Sequence, residues 1–275
     1  MSKELLYNSE QRQPRFHFWD LLRFLPVLVL PFMSACAKGG LPNRIFAVTY
    51  SPDDFNKRAL VVYDDNPATD EQTNVRTIYE GDIPGVIDVS PDASSVLMIK
   101  WDGNYWDVFK LDASVDSQDN ELLNLTSDEH DTSSAQWSPD GSQIVYSVYD
   151  REAQDSDIYM MDADGKNQRP LIHEARLESR PLWSPDGTKI AYLAYDNNKT
   201  DIFFDLNIFD LQSENITTAV TFRGFQDFSW SPYGDQIAYS GFDDSQEIGD
   251  IYIYDIEKKE SVDITPIPGL QWAMD

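Results

Sequence analysis

The side chains that most often carry out chemistry are scarce in this 275-residue sequence, apart from carboxylates. The histidines are His17, His130 and His173, and the one cysteine is Cys36. No histidine stands in a His-Glu-X-X-His zinc pattern, and no Gly-X-Ser-X-Gly nucleophile elbow is present. A lone cysteine forms neither an internal disulfide nor a thiolate metal cluster. We therefore expect no resident metal, no cofactor and no catalytic constellation.

Carboxylates are abundant: 48 Asp and Glu stand against 21 Lys and Arg, for a formal net charge of -27. At this density the carboxylate pairs of a glycosidase or lyase arise by chance, so pairs alone indicate no site. Asp162-Ala163-Asp164-Gly165 resembles part of a calcium loop but lacks its later acids, and we interpret it as a hairpin turn. The negative charge excludes nucleic acid and disfavours anionic lipid surfaces as partners.

Cys36 ends an uncharged segment near the N-terminus. Residues 24–37 carry no charge and follow a region containing Lys3, Arg12, Arg15 and Arg23. This run is shorter than the roughly 20 residues that a membrane-spanning helix needs, but it has the size of a signal-peptide apolar region.

The residues just before Cys36 add a second signal. Phe32-Met33-Ser34-Ala35-Cys36 resembles the bacterial lipobox, in which small residues precede a cysteine that receives lipid. We expect residues 1–35 to be a lipoprotein signal peptide, Cys36 to be lipidated, and residues 36–43 to form a short linker. The acyl chains would hold the protein on a membrane. The alternative is an ordinary leader, or a short anchor, with an accidental cysteine.

A repeated motif predicts the fold. Trp137-Ser138-Pro139-Asp140-Gly141 recurs with its serine at Ser184 and, with Tyr in place of Asp, at Ser231. Weaker copies contain Ser51 and Ser90, so successive serines lie 39, 48, 46 and 47 residues apart. Periods in the forties are typical of four-stranded propeller blades.

Each repeat has the same order of elements. Alternating runs at 143–149, 189–195 and 236–242 suit half-buried strands. A third strand is predicted to begin at 107–109, 157–159, 201–203 and 250–252, and a fourth at segments such as 122–126 and 262–265. The sequence predicts an all-β propeller with five clear repeats, and residues 271–275 align with 136–140 as though a sixth were beginning.

The repeated residues have scaffold roles. Proline fixes φ, aspartate binds backbone amides two residues on, and glycine accepts the positive φ of a tight turn. The tryptophan before each turn is large enough to fill the seam between neighbouring blades.

These motifs resemble the TolB-like propellers built from the WD-like Pro-Asp repeat, over about residues 44–266. The resemblance implies a secreted or periplasmic, non-enzymatic scaffold, although the same repeat also precedes peptidase domains. The namesake proteins carry an α/β domain ahead of the propeller, whereas here the eight residues 36–43, beginning with Cys36, precede Arg44. We therefore do not transfer the namesake's role, and assign residues 44–275 to the propeller.

Propellers commonly bind ligands at the mouth of the central channel, lined by the segments that lead into each inner strand. These lead-in segments are 82–85, 128–132, 173–180, 223–227 and 266–269. They contain the candidate ligand-binding residues Arg176, Arg180, Arg223, Asp227 and His130. Guanidinium groups at the mouth could hold a carboxylate, such as an acidic peptide side chain or a uronate. Alternatively, the arginines pair with Glu178, Asp227 and neighbours to offset the negative field.

We expect a monomeric lipoprotein of a bacterial cell envelope, facing the periplasm or the exterior, that binds a protein or peptide and catalyses nothing. A propeller that binds or cleaves polysaccharide is the alternative, and an envelope spacer without a specific ligand is a third interpretation.

Lipidation of Cys36 can be tested by metabolic labelling with a palmitate analogue. The wild-type protein is expected to take up the label, and Cys36→Ala to abolish it while leaving the propeller folded. An unlabelled wild-type protein, or a label that survives the substitution, would refute the lipoprotein assignment.

Overall fold

The computed structural model of the protein describes residues 43–51, 54–65, 74–81, 86–116, 118–174, 176–196, 203–242 and 250–265. Over these ranges the chain forms β-strands, turns and bends, and all paired strands are antiparallel. Within the same ranges, no helix has the length and apolar character needed to cross a bilayer. The proposed signal peptide, Cys36 and the start of a sixth repeat lie outside the described residues.

The strands form successive blades in chain order. Blade 1 has three described strands, β1 (Asn43–Ser51), β2 (Asp54–Asp65) and β3 (Asn74–Gly81). Blade 2 contains β4 (Val86–Val89), β5 (Ser95–Trp101), β6 (Trp106–Asp112) and β7 (Leu123–Asn124). Blade 3 contains β8 (Asp131–Trp137), β9 (Gln143–Asp150), β10 (Asp155–Asp162) and β11 (Arg169–Ile172).

The last two blades share a strand. Blade 4 begins with β12 (Leu177–Trp183), β13 (Lys189–Tyr195) and β14 (Phe203–Asp210). The first half of β15 (Ile216–Trp230) pairs with β14, and its second half pairs with β16 (Gln236–Phe242). Blade 5 is completed by β17 (Asp250–Asp255) and β18 (Glu260–Asp263). The described strands thus confirm a propeller of four-stranded blades, with β15 serving as outer strand of one blade and inner strand of the next.

The apolar core lies between the blades. Each of four clusters of buried residues combines side chains from two successive blades. Members from the two sides of each seam are, in chain order, Leu60 and Met98, Leu97 and Trp137, Val145 and Trp183, and Leu193 and Phe228. Trp137 and Trp183 are buried in these seams, which confirms the predicted role of the signature tryptophan.

The second strands are more buried than the sequence predicts. In β9 the residues Ile144, Val145 and Tyr146 are all fully buried, although a half-buried strand would expose every other side chain. Ile144 and Tyr146 belong to the seam with blade 2, and Val145 belongs to the seam with blade 4. The expectation of half-buried strands was therefore wrong for β9 and β13, because a neighbouring blade covers each face. In β16, partly exposed Ala238 does alternate with buried Ile237 and Tyr239.

The signature turn is held as the sequence predicts. Asp140 accepts hydrogen bonds on one carboxylate oxygen from the Ser138 hydroxyl and the Ser142 amide, at 2.6 and 3.0 Å. The Ser138 hydroxyl also accepts from the Gln143 amide at 3.0 Å, which starts β9. Gly141 has φ of 72°, in the left-handed region that favours glycine. The turn therefore sets the register of the strand that follows it.

One predicted strand start is corrected by the structure. Asp162 pairs with the first residue of β9, and Asp210 pairs with the first residue of β13. Asp157 precedes Asp162 by the same number of residues as Asp205 precedes Asp210, so Asp205 is the counterpart of Asp157. The predicted alignment of Asp201 with Asp157 was therefore wrong. Blade 4 has a longer connection between its second and third strands, and residues 201 and 202 lie outside the described ranges.

The seam role of the tryptophans leads to a stability prediction. Trp183→Ala is expected to lower the free energy of unfolding by about 3 to 5 kcal/mol, because it removes a buried aromatic ring between blades 3 and 4. Tyr233→Ala is a suitable control, since Tyr233 lies in the blade 5 signature turn and is 89% exposed. Chemical denaturation would measure both, and a neutral Trp183→Ala would contradict the seam-packing role.

Candidate functional site

The candidate residues lie at the end of the blades opposite the signature turns. His130 precedes β8, and Arg176 precedes β12 by one residue. Arg180 lies inside β12, and both Arg223 and Asp227 lie inside β15. The prediction that these arginines occupy loops is therefore wrong for Arg180 and Arg223. The register shifts of β12 and β15 explain the difference, because bulges let a strand continue where a loop was expected. The lead-in segments 82–85 and 266–269 lie outside the described residues.

Arg180 and Asp227 form an ion pair between blades 4 and 5. One guanidinium nitrogen of Arg180 donates to the Asp227 carboxylate at 2.7 Å, and both side chains are about half exposed. The same Asp227 oxygen accepts from the Phe228 amide at 2.9 Å. The pair therefore places a cation and an anion side by side at the surface of two neighbouring inner strands. The side chain of Arg223 lies outside the described part of the structure.

Arg180 also has an unusual backbone conformation. Its φ is 55°, in the left-handed region, although it lies inside a strand and is not glycine. It occupies the interval between Ser179 and Leu182 where the register of β12 with β13 shifts. Non-glycine residues at positive φ are uncommon, and such backbone strain clusters at functional sites.

Arg176 binds within blade 4. It donates to the Asp205 carboxylate at 2.5 Å and to the Ala194 carbonyl oxygen at 3.0 Å. Asp205 also accepts from the hydroxyl of Thr221 on β15. Arg176 therefore links the start of the inner strand to the outer strands of its own blade.

An aspartate at the position of Asp205 in the third strand recurs in blades 2 and 3, with a different partner in each. In blade 2, Asp107 accepts from Asn124 and from the Thr126 hydroxyl, at 2.8 and 3.2 Å. In blade 3, Asp157 lies 2.7 Å from Nδ1 of His173. A hydrogen bond to Asp157 and its negative charge raise the pKa of His173. These contacts hold the end of the fourth strand, or the lead-in segment, against the third strand.

His130 lies on the blade 2 and blade 3 side of the same end. Its Nδ1 is 3.5 Å from a carboxylate oxygen of Asp128, and its Nε2 is 3.8 Å from one of Asp150. His130 thus lies between two carboxylates near the start of blade 3. Arg180 and Asp227 belong instead to blades 4 and 5. The structure brings together Arg180 and Asp227 from the candidate set, and places Arg176 and His130 with other partners.

Glu178 is buried and is not a partner of the arginines. Its side chain is fully buried in β12, and neither carboxyl oxygen makes a hydrogen bond of normal geometry. Burial, together with the charge of Asp157, raises the pKa of Glu178 to about 9. In the alternative interpretation, in which the arginines pair with nearby acids, the pairing with Glu178 was therefore wrong, whereas Arg180 does pair with Asp227. The carboxyl group is protonated at neutral pH, because burying its charge without a partner costs more than holding the proton.

An exposed aromatic group on blade 2 was missed by the sequence analysis. Trp101 and Trp106 close the hairpin between β5 and β6, with ring centroids 5.7 Å apart. The guanidinium of Arg151 lies over the rings of Trp101 and Tyr105, at 5.5 and 4.9 Å. Two tryptophans flanking a four-residue turn, outside the repeated motif, were the available signal.

Within the described ranges, no three His, Cys, Asp or Glu side chains are placed to hold a metal ion. Asp162-Ala163-Asp164-Gly165 forms the predicted hairpin turn between β10 and β11, and Asp164 is paired with Lys166 at 2.5 Å. At the opposite end, a cleft between the signature turns of blades 3 and 4 is lined by Pro139, Trp183 and Gly187, which are scaffold residues.

Comparison with known proteins identifies the domain type. Residues 148–272 match a family described as the TolB beta propeller domain. Over these residues the propeller is similar to the TolB propeller domain. The propeller resembles the crystal structure of TolB from Acinetobacter baumannii, with a TM-score of 0.60 and 21% sequence identity. That match covers 79% of this chain and 50% of the Acinetobacter protein, so this chain spans half the length of that relative.

Other solved structures share the fold. The oligogalacturonate lyase of Vibrio parahaemolyticus gives a TM-score of 0.56 at 16% identity, over 82% of this chain and 66% of the lyase. The β-propeller domain of the Trilobed protease from Pyrococcus furiosus gives 0.54 at 14% identity, over 84% and 71%. These identities establish a shared fold. A search of curated protein sequences finds no match.

The buried Glu178 leads to a pH prediction. The folded pKa lies above the unfolded value of 4.5, so the folded state holds the proton more tightly and loses stability as pH rises toward about 9. Glu178→Gln keeps a neutral group of similar shape. Its stability relative to wild type is expected to increase with pH, by up to about 1.4 kcal/mol per pH unit.

Thermal unfolding of both proteins between about pH 5 and about pH 8 measures this difference, within the range where Glu178 changes protonation on unfolding. Glu121→Gln, at an exposed position, is the matched control and is expected to show no such trend. A difference between Glu178→Gln and wild type that stays constant with pH would contradict the protonated state.

Proposed function

We propose that this protein is a lipid-anchored propeller of the bacterial cell envelope that binds a protein or peptide partner and catalyses no reaction. The anchor is Cys36, and residues 44–275 form the propeller, which acts as a monomer and faces the periplasm or the exterior. The partner presents a carboxylate to the end of the propeller that carries the lead-in segments. The TolB-type repeat and fold support the choice of a binding scaffold.

The observation that carries this proposal is the conformation of Arg180. The chain accepts a left-handed φ inside an inner strand at this arginine, whose side chain is about half exposed and paired with Asp227 across a blade boundary. The other described non-glycine residues with positive φ lie in turns between strands, whereas Arg180 lies inside a strand. The hydrogen bond to Asp227 holds its guanidinium in place, as recognition of a carboxylate requires.

Binding would proceed by sharing this guanidinium. Asp227 stays in place because it also accepts from the Phe228 amide, and its own amide donates to the Ser240 hydroxyl at 3.1 Å. Arg has several donors in a fixed fork, a geometry that matches a carboxylate. In a chain with net charge of -27, such a local cation selects where an acidic ligand can approach.

A second candidate is a propeller that binds or cleaves polysaccharide. The shared fold with the Vibrio oligogalacturonate lyase and the exposed Trp101 and Trp106 favour it, because sugar rings stack on aromatic faces. Cleavage by acid and base carboxylates would need two of them about 5 to 10 Å apart beside that platform. Incubation with oligogalacturonate, followed by detection of unsaturated products, distinguishes a lyase from a binding scaffold.

The partner can be found by crosslinking the anchored protein in its native envelope and identifying its neighbours by mass spectrometry. Enrichment of one protein over a folded, unrelated envelope lipoprotein supports the binding role. Recovery of the same neighbours from both proteins would contradict it and favour a spacer without a specific ligand.

The arginines give a sharper prediction. Replacing Arg180 and Arg223 with Gln is expected to weaken binding of that partner while changing the free energy of unfolding by less than about 1 kcal/mol, because exposed ion pairs are individually weak. Arg169→Gln, on the exposed outer strand β11, is the matched control for removing a positive charge. Binding by titration calorimetry checks the first effect. Unfolding of the double variant, or unchanged binding, would show that these arginines are scaffold.

A further inference from the structure

The Trp101 and Trp106 hairpin differs from the repeated scaffold. These two side chains are 41% and 40% exposed, whereas Trp137 and Trp183 in the signature motif are each 6% exposed. The indole rings meet edge to face, at an interplanar angle of 62°. Leaving about two fifths of two neighbouring indole side chains exposed forgoes part of the stabilisation that burial gives elsewhere in this fold, so their exposure needs another explanation.

The hairpin is held rigid by its own turn. The Asp102 carboxylate accepts from the amides of Asn104 and Tyr105, at 2.6 and 2.8 Å, and the Asp102 amide donates to the Tyr105 carbonyl oxygen at 3.0 Å. Gly103 has φ of 122°, which is allowed for glycine and strained for other residues. The two amides lower the pKa of Asp102, so this exposed carboxylate is charged at neutral pH.

Blade 3 fixes the hairpin from the other side. Asp131 accepts from the Trp106 amide at 3.0 Å and holds Arg151 through both carboxylate oxygens, at 2.5 and 2.6 Å. Arg151 in turn lies over Trp101 and Tyr105. This contact shows that the aromatic faces accept a guanidinium, while the positive charge of Arg151 is already balanced by Asp131.

The surroundings of the hairpin are acidic. Asp102 is part of the turn, and Asp150 directly precedes Arg151 in the chain. Asp128 and Asp150 each approach His130, at 3.5 and 3.8 Å. A cation can gain from the indole faces and from the carboxylates together, whereas an anion would meet repulsion. A neutral sugar can stack on indole but gains nothing from the net charge.

We propose that the Trp101 and Trp106 hairpin, with Asp102, Asp128 and Asp150, is a docking site for a lysine- or arginine-rich segment of a partner protein. Aliphatic stems of the segment lie on the indole rings, and its charged ends reach the carboxylates. This site is separate from the Arg180 and Asp227 pair, and it prefers the opposite charge. The two proposals are therefore independent: loss of carboxylate binding at the Arg180 and Asp227 pair would not contradict this site.

The test uses the full chain and a labelled peptide that alternates lysine with glycine. Wild-type protein is expected to bind this peptide with a change in tryptophan fluorescence, and to bind an alternating glutamate peptide of equal length much more weakly. Asp102→Asn removes a charge while preserving the turn, because asparagine makes the same turn. Trp106→Leu removes the ring. Each of these two variants is expected to bind the lysine peptide about fivefold to tenfold more weakly than wild type. This corresponds to the free energy of one contact between a cation and an aromatic ring.

Two control variants separate this site from general attraction to an acidic protein. Tyr233→Ala removes an exposed aromatic ring from the opposite end, and Glu257→Gln removes an exposed charge from blade 5. Both are expected to bind the lysine peptide within about twofold of wild type, since the net charge changes by at most one unit. Equal weakening by Glu257→Gln and Asp102→Asn would overturn the proposal in favour of diffuse electrostatics.

Two further results would also overturn it. If Trp106→Phe fails to restore binding that Trp106→Leu loses, the ring is not a contact surface. If a neutral oligosaccharide perturbs tryptophan fluorescence and displaces the lysine peptide, the hairpin is a sugar platform. Should Trp106→Leu unfold, Asp102→Asn alone decides the matter, because unchanged binding by that folded variant contradicts a cationic ligand.

Discussion

Blades 2, 3 and 4 of this propeller each have two apolar faces, and a neighbouring blade covers each face. The second strands of these blades show this most clearly, because successive residues belong to different seams. Leu97 packs in the seam with blade 3 and Met98 in the seam with blade 1, while in β13 Ala191 and Tyr192 divide between blades 5 and 3. A sheet with both faces buried gains about 25 cal/mol for each Å² of apolar surface removed from water. That gain is realised only when adjacent blades pack together, so the folding of one blade depends on the blades beside it.

Polar contacts fix how the blades meet at these seams. The Trp137 amide donates to Asp88 of the preceding blade at 2.8 Å, and the Trp183 amide donates to Gln136 at 2.6 Å. The two acceptors occupy the same place, two residues before the signature serine. Burial raises the pKa of Asp88 to about 7, whereas Gln136 supplies the same acceptor without a charge. Thus one geometric requirement, an acceptor for the next tryptophan amide, is satisfied by side chains with different electrostatic costs.

The repeated part of the molecule could be predicted from the sequence because its determinants are local. A complete hydrogen-bonded turn is formed within six residues by Ser138, Asp140 and Gly141. The positions of such turns in the sequence therefore indicate where the strands on either side end and begin. Where the connection between two strands differs in length from blade to blade, aligning the repeats by sequence gave the wrong residue. In blade 4 it selected Asp201 as the third-strand aspartate, whereas the strand pairing gives Asp205. The bulge that puts Arg180 inside a strand depends on pairing with β13, and the burial of Glu178 depends on blade 3, so neither could be derived from neighbouring residues.

The distinction between repeated and unrepeated positions also separates scaffold from candidate function. The third-strand aspartate recurs in blades 2, 3 and 4. Its partner changes from Thr126 to His173 to Arg176, while its role of holding the chain end stays the same. A cation such as Arg176, whose carboxylate partner has a counterpart in other blades, is therefore explained by the fold. Arg180 has a left-handed backbone, and Trp101 and Trp106 have exposed rings, which the repeat does not require. Because the fold gains nothing evident from these departures, the sites of recognition are to be sought there, at the end of the blades opposite the signature turns.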